Sequence, residues 1–272
     1  MHLQSLHLYP LKSAAPFDVD ALAIEPRGPR HDRRWMAVDA TGRFVTARAV
    51  AEMVRIRAEP LGDGLRLSAP GMPSIEVAAP PADAARLPVS IWNDTVDAAC
   101  ADAAADAWVG AVLQREVRLV CMDAAARRAV DRTYGRDGDE VSFADGYPLL
   151  VISQAALDGL NARLAEAGRA PATMAHFRPN LVVAGSAAHA EDGWRRIRIG
   201  GIDFDAVKPC TRCVFTTVDP ALGRRRDDGE PLETLKTYRR TPAGITFGMN
   251  LIARGTCTLR VGDAVEVLAA AC

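Results

Sequence analysis

Apolar and polar positions alternate over residues 2–8 (HLQSLHL) and again over 18–25 (DVDALAIE), the period of a half-buried strand. Two more strands, 33–38 and 43–48, flank the turn at 39–42. Short apolar runs follow at 53–59, 64–68 and 74–78, separated by Gly and Pro. Short strands this closely spaced predict a small barrel or sandwich. A Pro- and Ala-rich stretch, 79–88, reads as a linker or long loop, and 89–98 as a strand pair. Helical spacing over 101–114 predicts a helix with Ala104, Trp108, Val109 and Val112 on one face. A strand is expected at 116–121. Residues 123–143 are charged and aperiodic, the pattern of a long surface loop that is functional or mobile. A buried strand at 148–152 leads through the candidate N-cap Ser153 into a helix over 154–167, closed by Gly168. The remaining runs, 181–184, 195–199, 202–207, 213–218, 248–253 and 257–267, all read as strands. The expected fold is therefore mixed α/β and β-dominated, divided into a small N-terminal β-domain over 1–90 and a second unit over 91–272.

Composition adds limits. A chain of 272 residues with 49% apolar and 25% charged residues buries a full core unaided, which excludes disorder, collagen and coiled coil. The net charge of −1 argues against a basic nucleic-acid binder, but not against a basic pocket. Only Lys12, Lys208 and Lys236 stand against thirty arginines. That bias, expected of a GC-rich genome, lowers the weight of any one Arg and raises that of a surviving Lys. The six cysteines are irregularly spaced, no signal peptide opens the chain, and no apolar run is long enough to span a bilayer. A cytoplasmic protein with reduced thiols is expected.

Four segments carry candidate chemistry. In residues 208–213 (KPCTRC) the two cysteines have three readings: half a zinc site, a redox pair, or one functional thiolate beside a bystander. A second Cys pair or His pair for zinc is absent, and a redox pair belongs at the start of a helix in a βαβ unit. Arg212 beside Cys213, with Lys208 close by, favours an ionised thiol, the form that attacks and ligates. In 177–180 (FRPN), Pro179 disfavours helix at Arg178 and places Arg178 and Asn180 at the mouth of a strand. Arg offers a fork to an oxyanion, and Asn both donors and acceptors. The loop 9–13 (YPLKS) sets Lys12 beside Ser13, a pair suited to phosphate. Residues 31–35 (HDRRW) form a basic entry to a strand, and Asp145 sits at a loop-to-strand junction. Taken singly, each of these is more often a solvated or structural residue. Glycine-rich phosphate loops, a GxSxG elbow and HExxH are absent.

Together these segments resemble the MOSC-domain family, named after the C-terminal domain of molybdenum cofactor sulfurase. Within it they are most similar to the mitochondrial amidoxime reducing component and its bacterial YcbX-like relatives. YPLKS, DRRWM and FVTAR match the family's N-terminal β-domain. DGYPLLVIS, HFRPNLVVAG, EDGW, CTRCVFTTVDP, EPLETLKTYR, FGMNLI and VGDAVEVL match the MOSC domain in order and spacing. The resemblance covers nearly the whole chain and implies a MOSC β-barrel with peripheral helices.

The resemblance implies the molybdenum cofactor, molybdenum on molybdopterin, with Cys213 as the metal's thiolate ligand. It implies that Lys12, Ser13 and Arg33 hold the cofactor's phosphate or pterin, that Arg178 and Asn180 face the pterin, and that Thr211 and Arg212 contact it beside the metal. Asp145 is placed near the cofactor with a catalytic role, and Cys210 is not the expected ligand. The activity implied is reduction of N-hydroxylated compounds. Gly146 and Tyr147 depart from the small hydroxylated residues usual in the amidoxime reducers. The plant-type ferredoxin cysteine run of some YcbX-like proteins is absent, so electrons are expected from a separate ferredoxin-, cytochrome- or flavin-type protein. Two other readings stay open: a cofactor carrier without turnover, and a persulfide sulfur-transfer protein using Cys213. No nucleic-acid or membrane partner is expected.

Overall fold

The computed structural model describes residues 1–271. Its largest sheet has nine strands. From one edge they run Phe17–Val19, His2–Leu8, Leu181–Ala184, Leu149–Ser153, Gly244–Ala253, Ile202–Thr211, Trp194–Ile199 and Val265–Ala270, with Arg240–Thr241 on the side of Gly244–Ala253. All pairs are antiparallel except Leu149–Ser153 with Leu181–Ala184. A parallel pair needs a crossover, and the helix Gln154–Glu166 supplies it. The sheet's two faces follow the period of two. Leu149, Val151, Met249 and Leu251 enter one core with Leu3, Leu6 and Phe204, whereas Leu150, Ile152 and Phe247 enter another with the helix residues Leu157, Leu160 and Leu235.

Smaller sheets complete the fold. Trp35–Val38, Arg118–Cys121, Asp94–Cys100 and Arg86–Ile91 form a four-stranded sheet. Arg57–Leu61, Gly64–Ala69 and Met72–Val77 form a meander, and Cys257–Arg260, Ala21–Glu25 and Gly28–Pro29 a third sheet. Trp35, Met53, Leu67, Trp108 and Leu119 share a core over the N-terminal half. The β-dominated fold is as the alternation predicts.

The differences have local causes. The helix is Ala103–Leu113, capped by the Asp102 carboxylate accepting from the Ala105 amide at 2.8 Å. Its buried face is Ala105, Trp108, Val109 and Leu113, with Val112 partly buried against the same core; Ala104 is exposed instead. Residues 43–48 are not a strand. The Val45 amide reaches Ala37, but the Ala49 and Val50 amides both turn back onto the Thr46 carbonyl. The 53–59 run is split between the 3₁₀ turn Ala51–Arg55 and the strand from Arg57. The β-branched run 213–218 also fails as a strand: Val214–Thr217 is a 3₁₀ turn. The Thr216 and Thr217 hydroxyls donate three residues back, to Cys213 and Val214, at 2.9 and 2.8 Å, and coil the chain. Ser153 sits at the N-cap of its helix but does not cap it; its Oγ accepts from the His189 amide at 3.2 Å. The short helices Met174–Phe177 and Leu232–Tyr238 carry no clear period and were not foreseen.

Gly248 is required where it stands. Its φ is +85°, and an added Cβ would meet Ile152 Cγ1 at 2.6 Å and the Val151 carbonyl at 2.8 Å. Gly248→Ala is expected to cost about 1–3 kcal/mol, read as a lower midpoint in urea unfolding.

Candidate functional site

One cleft collects the loops that the sequence singled out. Lys12 and Ser13 enter after the strand His2–Leu8, Arg33 before Trp35–Val38, and Asp145 before Leu149–Ser153. Arg178 and Asn180 enter before Leu181–Ala184, and Cys210 to Cys213 at the end of Ile202–Thr211. Every candidate residue of the sequence therefore lines the same cavity. Ser13, Arg33 and Arg178 all have φ between 48° and 69°, a left-handed backbone uncommon outside glycine. Strained backbone of this kind gathers at binding sites, where the surrounding fold holds it.

The cations are held by the protein in different ways. Lys12 is only 4% exposed. Its Nζ donates to the Phe143 carbonyl at 2.8 Å and to Asp145 Oδ1 at 2.6 Å, leaving one of three ammonium hydrogens free. Burial pushes its amine down to about 8, although Asp145 works against the fall. Burial pushes the Asp145 carboxyl upward, but the Lys12 ammonium and the Arg48 guanidinium, 3.5 Å away, outweigh it and hold the group ionised, well below the usual range. The Asp145 side chain stays 62% exposed at the cleft mouth.

Arg33 donates to Asp32, to Asn180 Oδ1 at 3.0 Å and to the Arg178 carbonyl at 3.0 Å. Arg178 lies 4.1 Å over the Tyr9 ring and donates through Nη1 to the Ala14 carbonyl. Burial lowers it to about 10, so it is charged at neutral pH. Its Nη2 is buried without a partner among the described residues, as is His176 Nε2; both residues line the cleft. Burial holds the His176 imidazole low, hence neutral. Asn180, fully buried, borders the cleft, yet its amide is engaged by Arg33, the Leu150 amide and the His7 carbonyl.

The two cysteines differ. Cys213 is exposed, begins the 3₁₀ turn, and its thiol has no hydrogen bond among the described residues. Cys210 is half-buried, and burial pushes its thiol up. Arg212 hydrogen-bonds neither sulfur, although its charge works against the burial-driven rise at Cys210. It donates to the Phe247 and Phe177 carbonyls, both at 2.8 Å, and so fixes the strand end that presents Cys213. Among the described residues no three His, Cys, Asp or Glu side chains converge on a metal position, as zinc would need. Cys210 lies in the strand Ile202–Thr211, and Cys213 begins the 3₁₀ turn that follows.

Arg48 was missed as a site residue. Its signal was present in the FVTAR segment, but a strand reading hid the turn that swings it over the cleft. Phe177, Tyr147, Phe215 and Asn250 also line the cavity; each lies in a quoted motif, but none is given a site role there. With Lys12, Arg33, Arg48, Arg178 and Arg212 against a single lining carboxylate, Asp145, the cleft is a cationic pocket in a protein of net charge −1.

The geometry is thus an exposed thiol lining a cationic cleft. Residues 1–116 match the MOSC N-terminal beta barrel domain and residues 138–266 the MOSC domain. The chain belongs to the MOSC-domain family. It is 34% identical over 281 residues to mitochondrial amidoxime-reducing component 1 of Mus musculus, covering 97% of this chain and 81% of that protein. Against the Homo sapiens counterpart it is 31% identical, covering 97% and 82%. It is also 30% identical to the molybdenum cofactor sulfurase of Solanum lycopersicum, across 97% of this chain but 35% of that protein. Its function is accordingly tied to the molybdenum cofactor.

Proposed function

We propose that the protein is a molybdenum-cofactor-dependent oxidoreductase that reduces N-hydroxylated compounds: amidoximes, hydroxylamines and N-hydroxylated bases. The observation that carries this reading is the sharing of one cleft by the free Cys213 thiol and the cations Lys12, Arg33, Arg48 and Arg178. Molybdopterin has an anionic phosphate tail and a thiophilic metal head, and needs both kinds of anchor. The residues fit: the orphaned Arg178 Nη2 and His176 Nε2 are buried donors that want an acceptor in the cleft. When bound, such a group supplies two-electron chemistry at an N–O bond.

The chain's own part is binding and orientation. Lys12, Ser13, Arg33 and Arg178 hold the anionic end. Cys213 is the soft ligand, and Thr211 and Arg212 keep the strand end beside it in place. Asp145, ionised and open to solvent, keeps Lys12 protonated and accepts hydrogen bonds from an amidoxime N–H or an N-hydroxyl group. Electrons come from a separate ferredoxin-, cytochrome- or flavin-type protein, and we place the reaction in the cytoplasm. Cell fractionation tests that location against the mitochondrial names of the relatives; among the described residues no helix is long and apolar enough to cross a membrane.

Turnover of benzamidoxime with a chemical electron donor tests the activity. No turnover at full cofactor occupancy favours a carrier, the reading to which the sulfurase relatives lend weight. A persulfide on Cys213 in metal-free protein, found by mass spectrometry, favours sulfur transfer.

The Lys12 amine sets a pH dependence. Only its protonated form attracts an anion, and it loses that proton as pH rises through about 8. Cofactor retention after dilution is expected to fall between pH 7 and pH 9.5. In Lys12→Ala it is expected to be weaker at pH 7, by about 1.5–3 kcal/mol, and nearly flat across that range. A wild-type profile that is also flat would remove Lys12 from the anion site.

A further inference from the structure

The aperiodic stretch between Arg118–Cys121 and Leu149–Ser153 contains no regular element, yet it holds a buried charge. Arg128 is 6% exposed. Its Nε donates to Asp94 at 2.7 Å, a partner on the neighbouring hairpin. The rest of its fork goes to backbone: Nη1 to the Ser142 and Ala144 carbonyls at 3.0 and 2.5 Å, and Nη2 to the Asp145 carbonyl at 3.0 Å. The one carbonyl it skips, Phe143, is taken by Lys12 at 2.8 Å. Four consecutive carbonyls therefore accept from two cations.

This cage decides where the cleft's charges stand. The Phe143 amide donates to the Arg33 carbonyl at 2.9 Å, so the same segment is tied to the Arg33 backbone. The Asp145 carboxylate then projects to Lys12, Arg48 and, at 3.4 Å, the Trp92 indole N–H. A planar guanidinium matches carbonyls spread around its edge; a lysine ammonium is a compact point donor and spans fewer of them. A different cation holds the stretch at Asp139, three residues before Ser142. Arg254 grips Asp139 at 2.7 and 2.9 Å and Asp205 at 2.6 Å, and touches none of these four carbonyls.

We propose that Arg128 is a positioning residue of the cleft, setting the Lys12–Asp145 pair through the carbonyls of Ser142, Ala144 and Asp145. The long stretch is thus a strut that builds one wall of the site, not a lid over it. Its relevance to turnover rests on the molybdenum reading; the placement itself does not.

The scarcity of lysine makes the test clean. A short pulse of acetic anhydride on the purified protein, read by mass spectrometry, reports Lys12 against the internal standards Lys208 and Lys236. The wild-type Lys12-to-Lys236 ratio is the reference, with Lys12 4% exposed and the Lys236 side chain 35% exposed. In Arg128→Ala the Lys12-to-Lys236 ratio is expected to rise on the order of fivefold or more, from local opening of the segment. Arg128→Lys is expected to rise less, and carries the test if the alanine variant does not fold. Arg254→Gln, which loosens the same stretch elsewhere, is expected to leave the ratio unchanged. An unchanged ratio in both Arg128 variants overturns the proposal, as does an equal rise in Arg254→Gln, which would mean general loosening. The labelling needs neither cofactor nor substrate, so its failure is separable from failure of the proposed activity.

Discussion

Cys213→Ser protein from a host that makes the cofactor is expected to carry molybdenum near background, while Cys210→Ser keeps most of it. Thiolate sulfur is the ligand a thiophilic metal selects, and a serine hydroxyl at the same point is a hard, protonated, weak donor. The two cysteines are three residues apart, so spacing does not choose between them; their surroundings do. Cys213 is exposed, and its thiol is left uncommitted by the fold. Its backbone is not: the Cys213 carbonyl accepts from the Thr216 amide at 3.0 Å and the Thr216 hydroxyl at 2.9 Å, and Arg212 is fixed to two neighbouring carbonyls. The sulfur is therefore presented at one place at no cost in broken contacts. Cys210 is packed beside the Phe177 and Phe247 core, and burial favours its neutral thiol. Because the Cys213 side chain contributes little to packing, the serine variant is expected to unfold within about 0.5 kcal/mol of wild type. Elemental analysis and a urea melt on the same preparations check both halves. Equal molybdenum in wild type and Cys213→Ser would sink the ligand assignment, and a large stability loss would make any metal loss uninterpretable as ligation.

What was legible in the sequence depended on whether the signal was local. The strands His2–Leu8, Leu149–Ser153 and Leu181–Ala184 announce themselves by alternation or by unbroken apolar runs, and the helix Gln154–Glu166 by its period and the following Gly168. The runs 43–48 and 213–218 misled because β-branched residues also serve turns. Their outcome was decided by amides folding back onto Thr46 and by threonine hydroxyls bonding backward, neither visible as a period. Motif matching singled out loops that line one cleft, yet could not say how each residue is used. Arg212 reads as an electrostatic neighbour of Cys213, but in the fold it is a brace between carbonyls. Arg128 sat in a stretch read as surface, because its partners are the Asp94 carboxylate on a distant hairpin and the carbonyls of Ser142, Ala144 and Asp145, none of which leaves a period in the sequence.

The same distinction governs the second large effect, at Asn180. The sequence places it at the mouth of a strand with donors and acceptors to offer a ligand. The fold gives those groups to the protein. Asn180 is fully buried where three strands meet. Its amide N–H donates to the Leu150 carbonyl and its carbonyl accepts from the His7 amide, each at 2.9 Å. Its side chain repeats the bridge: Oδ1 accepts from the Leu150 amide at 3.3 Å and from Arg33 at 3.0 Å, and Nδ2 donates to the His7 carbonyl at 3.1 Å. Removing it leaves a buried amide, a buried carbonyl and part of a guanidinium short of partners, at about 1–3 kcal/mol for each group that water does not reach. Arg33, still paired with Asp32, retains part of its anchoring, so the sum falls short of three full penalties. Asn180→Ala is expected to lose about 3–4 kcal/mol of stability, at the upper edge of ordinary point substitutions, and to release cofactor as a consequence of a loosened Arg33. Asn180→Asp keeps the oxygen that accepts from Arg33 and the Leu150 amide, sets a second carboxylate oxygen against the His7 carbonyl where Nδ2 donated, and adds a negative charge beside Arg33. It is expected to lose less stability than the alanine variant, yet to hold an anionic cofactor more weakly than wild type. Urea unfolding of the two variants, with cofactor retention measured on the same samples, separates the roles. An alanine variant within about 0.5 kcal/mol of wild type that still loses cofactor would make Asn180 a ligand-binding residue after all, because a neutral surface-like response is what a side chain without a structural load gives.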